Sequence, residues 1–250
     1  MRWNDDLSAS SPTPLWFRIA ERLRASITTG EFRPGDALPS EAEINAAFKV
    51  SRTTARASLD RLRHDGLISR QSGRGSIVLK PKVEQPVNQL ASFSEDMRRR
   101  GLLASYATFS AAASKISAEA AKALGLDLDA TVFFIRRLLL ADDEPMGMSE
   151  SWLAPAALGD MSGPTPEDLD AGSLYHWLRG RCGIQIAGAK EFVEAAIADA
   201  DMARRLDIPL GAPVLVARRR SHDADGAPIE YAIMHYRADR YRFSIDLAGQ

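Results

Sequence analysis

Two stretches of the 250-residue chain repeat each other at an offset of 82 residues. "AEAAKALGLDLDATVFFIRR" begins at Ala118, "ADMARRLDIPLGAPVLVARR" begins at Ala200, and the two align without a gap. Leu124 falls on Leu206, Leu126 on Ile208, Leu128 on Leu210 and Val132 on Val214, while Arg136 and Arg137 fall on Arg218 and Arg219. Each copy reads as a short helix, a tight turn, a strand, a second turn ("DDEP" or "DADGAP") and a returning strand. One such unit cannot bury its apolar face alone. Two copies therefore predict a pseudosymmetric α/β domain whose hairpins join in one antiparallel sheet, with a ligand cleft between the lobes.

The N-terminal third follows a different pattern. From Leu15 onward, Ile19, Leu23 and Ile27 recur every four residues, which predicts an amphipathic helix that stops at Gly30. Residues 1–13 are polar and read as a loose arm. After the turn-rich "GEFRPGDALP", Ser40 and Glu43 form a capping box, and Ile44, Ala47 and Phe48 are the expected buried stripe of a short second helix. Lys49 and Val50 make a tight turn. Ser51 then caps a third helix with Ala55, Leu59 and Leu62 on one face, ending before Gly66. Two short strands, near 67–70 and 76–79, are joined by "QSGRG".

Helix, turn, helix and Gly-rich hairpin in this order make a winged helix-turn-helix, whose helix beginning at Ser51 enters the major groove of DNA. Arg52, Thr53 and Arg56 lie off the apolar stripe and are free to reach outward. Arginine bonds guanine bidentately, threonine meets a thymine methyl or a phosphate, and a helix N-terminus favours a phosphate. Gly73 and Gly75 let the wing turn tightly and carry Arg74 towards the duplex. The expected DNA-binding set is Ser40, Ser51, Arg52, Thr53, Thr54, Arg56, Gly73, Arg74 and Gly75.

Charge supports that reading. The formal net charge of -1 conceals thirteen Lys and Arg against nine Asp and Glu in residues 1–80, and nineteen against twenty-four in residues 81–250. Between Lys49 and Arg74 the count is seven basic against two acidic, a patch that attracts phosphates. The opening "MRWNDDLSASSPTPLW" has no basic and apolar leader pattern, and no apolar run approaches the ~20 residues of a membrane span, so a cytoplasmic chain without a membrane partner is expected. The one cysteine, Cys182, reads as a small buried hydrophobe. His64, His176, His222 and His235 stand at no metal-binding spacing. With no cofactor fingerprint and no nucleophile paired with a base, no catalytic residue, metal or cofactor is expected.

The stretch from "PLWFRIAERLRASITTGEFRPGDALPSEAEINAAFKV" through "SRTTARASLDRLRHDGLISRQSGRGSIV" closely resembles the N-terminal domain of the GntR family of bacterial transcription regulators. That resemblance places DNA contacts at Ser51, Arg52, Thr53, Arg56, Gly73 and nearby wing residues. Many members carry an arginine directly after the Ser-Glu of the second helix, where this chain has Ala42. Further on, "SFSEDMRRRG", "RRLLLADDEPMGMSESWL" and "PIEYAIMHYRADRYRFSIDL" resemble the UTRA effector domain of the HutC-like branch, which shares its fold with chorismate lyase. The resemblance implies effector contacts at Ser92, Phe93, Ser94, Arg137, Ser149, Glu230 and Tyr236.

Those residue types suit a small, polar, anionic metabolite. Ser94 is the expected cap of the helix beginning "SEDM", Arg137 offers a fork to carboxylate or phosphate, and Glu230 accepts from hydroxyl or amine groups. Members that read phosphosugars often carry Arg-x-Arg in the first hairpin, but Leu139 stands at the second position here, so a carboxylate competes with a phosphosugar. Arg98 to Arg100 read as an exposed helix face, and strand alternation sends Arg219 to the face opposite Arg218 and Arg220.

The expected whole is an α+β chain: a winged helix-turn-helix over 12–80, a linker over 81–90 within "KPKVEQPVNQL", and a UTRA-like effector-binding and dimerisation domain over 91–250. Its expected function is that of a metabolite-responsive repressor, a homodimer on a palindromic operator. The competing readings are a lyase-like enzyme built on the C-terminal domain and an effector-independent DNA-binding protein.

Overall fold

In a computed structural model, residues 2–5, 7, 12–71 and 75–247 are described. They form two units that divide between Pro81 and Lys82. In the first, α1 (Leu15–Thr28) and α2 (Glu41–Phe48) pack on α3 (Arg52–His64) around Ile19, Leu23, Ile44, Ala55, Leu59 and Leu62. The capping box forms as expected: the Glu43 N–H donates to Ser40 Oγ at 3.3 Å, and the Ser40 N–H donates to the Glu43 carboxylate at 2.8 Å. Lys49 ends α2 in the left-handed region at φ 52°, and Ser51 Oγ accepts the Thr54 N–H at 3.1 Å to start α3.

The wing is the antiparallel pair β1 (Ile68–Gln71) and β2 (Gly75–Val78), with Ile68 opposite Val78 and both buried in the core. Two expectations need correction. Of the α2 stripe only Ile44 is fully buried, Phe48 is half-buried and Ala47 is exposed, because a helix of eight residues turns little of its surface inward. The supposed arm is partly packed: Trp3 stands edge-on to Phe48 with ring centroids 6.1 Å apart, and Leu7 joins the same core.

The second unit carries the repeat. In chain order it contains β3 (Val83–Pro86), α4 (Phe93–Arg99), β4 (Ala104–Lys115), α5 (Ala118–Leu124), β5 (Thr131–Ala141) and β6 (Glu144–Leu153). Then come α6 (Pro155–Leu158), α7 (Pro166–Asp170), α8 (Leu174–Arg181), β7 (Gly188–Ile197), α9 (Ala200–Leu206), β8 (Pro213–His222), β9 (Pro228–Arg237) and β10 (Tyr241–Ser244). Six strands form one antiparallel sheet in the order β4-β5-β6-β9-β8-β7, so each repeat supplies one half and β6 pairs with β9 at the centre.

The symmetry reaches the turns. Gly125 ends α5 at φ 69° and Asp207 ends α9 at φ 52°, both left-handed and 82 positions apart. α5 and α9 cover one sheet face over Leu124, Val132, Trp152, Leu206, Val214 and Tyr231. The opposite face carries Ile135, Leu139, Leu153, Ala217 and Tyr236, packed by residues of α4, α7, α8 and β10. Alternation along each strand separates the two sets.

The segment read as a linker, 81–90, contains β3, which pairs in parallel with β10. The Val83 N–H donates to the Arg240 carbonyl at 2.7 Å and the Val87 N–H to the Ser244 carbonyl at 3.0 Å. Pro81 and Pro86 sit at its borders, where a missing N–H costs no ladder bond, and that placement disguised a short strand as a connector.

Leu206, fully buried beneath the central strands, makes the packing testable. Leu206→Ala is expected to lower the stability of the second unit by about 2–5 kcal/mol in thermal or denaturant unfolding. An unchanged midpoint would contradict the two-helix layer.

Candidate nucleic-acid interface and effector cavity

Ser51, Arg52, Thr53 and Arg56 are exposed at the N-terminal end of α3, and Thr54 is half-buried beside them. Ser40 is exposed at the start of α2. Gly75 takes the left-handed φ of 78° that the wing turn requires, while Gly73 and Arg74 lie outside the described residues. Arg56 is engaged within the unit: its Nε and Nη2 donate to the two oxygens of Glu41 at 3.0 and 3.2 Å, and Arg70 Nη2 donates to the same carboxylate at 2.7 Å. The hydrogen bond from Arg56, with the nearby charge of both arginines, holds the Glu41 carboxyl below its usual range. Glu41 thus occupies the fork that a guanine or phosphate would need.

In the second unit, register assembles a polar wall on the sheet face away from α5 and α9. Arg137 lies opposite Ser149, and Ser149 opposite Met234. In adjacent rows Ser151, Ala232 and Arg219 are aligned, as are Leu153, Glu230 and Ser221. Gly147 lies opposite Tyr236, where an added Cβ would come within 2.9 Å of the tyrosine ring, so this position needs glycine for the ring to pack. Tyr236 stacks on Tyr241 at 4.1 Å between centroids, and the Tyr241 hydroxyl donates to Gln85 Oε1 of β3 at 2.6 Å.

These residues enclose a cavity of about 60 Å³. Ser92, Phe93, Arg137, Ser149, Glu230 and Tyr236 all line it. Ser94 instead lines an adjoining pocket of about 580 Å³, and Ser92, Tyr106, Ser173 and Tyr175 border both. Ser94 is not the cap of α4. Ser92 takes that place in a capping box with Glu95, two residues earlier than expected, and Ser94 falls inside the helix.

The charges in the wall are unevenly compensated. Arg137 is 7% exposed, stacks over the Tyr106 ring at 4.6 Å, and gives only long bonds to the Leu169 and Gly172 carbonyls at 3.4 and 3.3 Å. Its Nε has no protein partner, nor has Ser149 Oγ beside it. Burial pushes the Arg137 guanidinium below its ordinary value. Glu230, 3% exposed, accepts the Tyr175 hydroxyl at 2.9 Å. Burial and the neighbouring Glu230 charge push the Tyr175 phenol up, so it stays a donor. Arg219, by contrast, is bonded to Glu191. An anion entering the cavity would therefore meet unspent donors at Arg137 and Ser149, and an acceptor at Glu230.

Comparison with known proteins identifies both units. The description "Bacterial regulatory proteins, gntR family" matches residues 17–78, and the UTRA domain matches residues 99–242. The HTH-type transcriptional repressor NagR of Bacillus subtilis is 34% identical over 95% of this chain and 96% of its own. The Mannosyl-D-glycerate transport/metabolism system repressor MngR of Escherichia coli is 27% identical over 93% of this chain and 95% of its own. Among solved structures, PhnF from Mycobacterium smegmatis superposes with a TM-score of 0.63 at 27% identity, over 92% of this chain and 99% of that one. The chain belongs to the GntR family, in its UTRA-bearing branch. It is a DNA-binding transcription regulator with a domain of the kind that binds small-molecule effectors.

Several lining residues of the UTRA domain escaped the sequence reading: Gln85, Tyr106, Ser151, Tyr175, Arg219 and Tyr241. Arg219 was within reach. The offset of 82 carries Arg137 onto it, and the alternation that sets it apart from Arg218 and Arg220 turns it into this cavity. Tyr175 was not, because it comes from α8 in the insertion between the repeats.

Replacing Arg137 separates its cost from its use. Arg137→Met removes a buried, poorly compensated charge at similar length, and is expected to leave the unliganded stability unchanged or raise it by roughly 1–4 kcal/mol. Tyr175→Phe takes the donor from buried Glu230 and is expected to cost about 1–3 kcal/mol. Unfolding midpoints moving in the opposite senses would contradict this charge assignment.

Proposed function

We propose that this GntR regulator is a repressor: a homodimer that holds a palindromic operator through α3 and the wing, and releases it when a small polar anion fills the UTRA cavity. The observation that carries the proposal is the buried Arg137 Nε and Ser149 Oγ, both without protein partners, on side chains that line a cavity together with Glu230. Buried donors are normally satisfied, and a ligand oxygen supplies what the protein leaves open.

The ligand class follows from the charge. Arg137 is the one cation of the wall without a carboxylate partner among the described residues, since Arg219 is committed to Glu191. One guanidinium without a carboxylate partner matches a single carboxylate better than a doubly charged phosphate, and Glu230 adds a preference for hydroxyl groups. A sugar acid is the favoured effector and a phosphosugar the second choice. The relative MngR is named for mannosyl-D-glycerate, which is such an acid. At about 60 Å³ the inner cavity holds water, not a metabolite of this size, so the effector extends past Ser92, Tyr106, Ser173 and Tyr175 into the pocket of about 580 Å³.

Release follows from the position of β3. Gln85 lines the cavity and is bonded to Tyr241, and the chain enters β3 directly after Pro81, where the first unit ends. An effector that displaces Gln85 shifts the strand that tethers the DNA-binding unit, and the difference in effector affinity between the two poses sets how far repression is relieved. On DNA, Ser51, Arg52, Thr53 and Thr54 engage the major groove and its edge. Ser40 meets a phosphate, Gly73, Arg74 and Gly75 form the wing contact, and Arg56 exchanges Glu41 for a base. Such a protein works in the cytoplasm; no helix among the described residues is long and apolar enough to cross a membrane.

The test is binding of the full chain to labelled duplex from its own upstream region, with a scrambled competitor. Tight, salt-sensitive binding that Arg56→Ala weakens by roughly 1–3 kcal/mol is expected. Mannosyl-D-glycerate, related sugar acids or hexose phosphates should lower the wild-type affinity by at least about fivefold, and Arg137→Met should abolish that response. Equal affinity for operator and scrambled duplex, or no response and no thermal stabilisation with any compound, would overturn the reading.

A further inference from the structure

Three elements of the first unit meet at one carboxylate. Glu41 opens α2, its two oxygens accept from Arg56 of α3, and Oε1 also accepts from Arg70 of β1. Arg70 shares a face of the wing with Ile68, two residues earlier and buried in the core, so that face turns towards the helices. The other acidic side chains nearby are committed elsewhere. Glu43 completes the cap with Ser40, Asp60 pairs with Arg63, and Asp65 pairs with Arg24 and Arg61 at the far end of α3. Arg52, one turn before Arg56 on the same face of α3, has no carboxylate partner among the described residues.

This clasp does little for the fold. The Arg56 and Arg70 side chains stay 61 and 49% exposed, and ion pairs so open to water add little to stability. Its electrostatic effect falls unevenly on DNA. A phosphate approaching Arg56 or Arg70 brings a negative charge beside the Glu41 carboxylate, so it gains the arginines only against repulsion. A guanine edge offers two neutral acceptors and meets no such repulsion. When Arg56 turns to a base, Arg70 stays on Glu41 and keeps its charge compensated. Non-operator DNA, held through phosphates alone, has nothing to set against the carboxylate.

We infer that Glu41 is a specificity-determining residue of the DNA interface: it withholds Arg56 and Arg70 from phosphates and yields Arg56 to a base edge. The inference rests on the operator binding proposed above and names the residue that sharpens it. Arg52, which is unclasped, supplies attraction to any duplex; Arg56 is kept for the right one.

A salt series with the full chain on operator and scrambled duplex tests this, with the melting profile of each variant recorded alongside. Glu41→Gln keeps the shape of the side chain and removes its charge. Its affinity for the scrambled duplex should rise about tenfold at about 0.1 M salt, and the slope of log affinity against log salt should steepen by about 1–2, one phosphate for each arginine released. Operator affinity should rise less, so that the ratio of the two falls at least about threefold. Glu41→Asp retains the charge and should retain the wild-type slope. A Glu41→Gln chain that melts like the wild type yet leaves the scrambled-duplex slope and the ratio unchanged would overturn the inference, with operator recognition intact. So would a Glu41→Asp chain that behaves as Glu41→Gln does. A wild-type chain that does not distinguish the two duplexes would remove both the inference and the operator binding on which it rests.

Discussion

The pairing of β6 with β9 is the interaction on which the effector domain depends. Each repeat contributes a hairpin with one apolar face, and the two halves become one sheet only where Gly147 to Leu153 run antiparallel to Glu230 to Tyr236. That ladder fixes which side chains share a face. Slipping it by one residue would send Glu230 and Tyr236 to the α5/α9 side and bury them among Trp152, Val214 and Leu206, where no polar partner waits. The apolar packing of α5 and α9 therefore defends the register, and the register builds the polar wall. Structure and site are two consequences of the same pairing.

The wall is held at an energetic disadvantage. Arg137 and Glu230 are buried yet not paired with each other; the arginine relies on two long carbonyl contacts and a ring face, and the carboxylate on a tyrosine hydroxyl. An apolar wall of the same volume would be more stable. Retaining the charges makes sense when a ligand completes them, because binding then recovers what folding left unsatisfied. The first unit shows a milder form of the same arrangement at Glu41, which keeps Arg56 and Arg70 engaged in the absence of a competing acceptor.

Much of this was legible because it rests on local rules. The caps at Ser40 and Ser51, the apolar spacing of α1 and α3, and the repeat with its left-handed helix ends all follow from short-range chemistry that a sequence records directly. What failed was non-local. β3 takes its hydrogen bonds from β10, more than 150 positions away, so nothing near Val83 announces a strand. Tyr175 reaches Glu230 from an insertion with no counterpart in the first repeat. Ser92 is the local exception: Ser92 to Glu95 is the Ser-x-x-Glu pattern of a capping box, whereas Met97 stands three residues after Ser94, so the true cap of α4 was written in the sequence. Arg219 is the instructive case: the repeat and the strand alternation together put it in the same cavity wall as Arg137, although its charge alone reads as surface.

In the proposed regulator, occupancy of the UTRA cavity and occupancy of the operator oppose each other through one protein. Linkage makes the most direct test reciprocal: calorimetric affinity for the sugar acid or hexose phosphate that most raises the melting temperature, measured with and without saturating operator duplex. Weaker effector binding to the operator-bound protein is expected, by the same factor with which the effector weakens operator binding. Equal effector affinity in the two states would show that the cavity and the DNA-binding unit are not coupled, and would contradict effector-driven release.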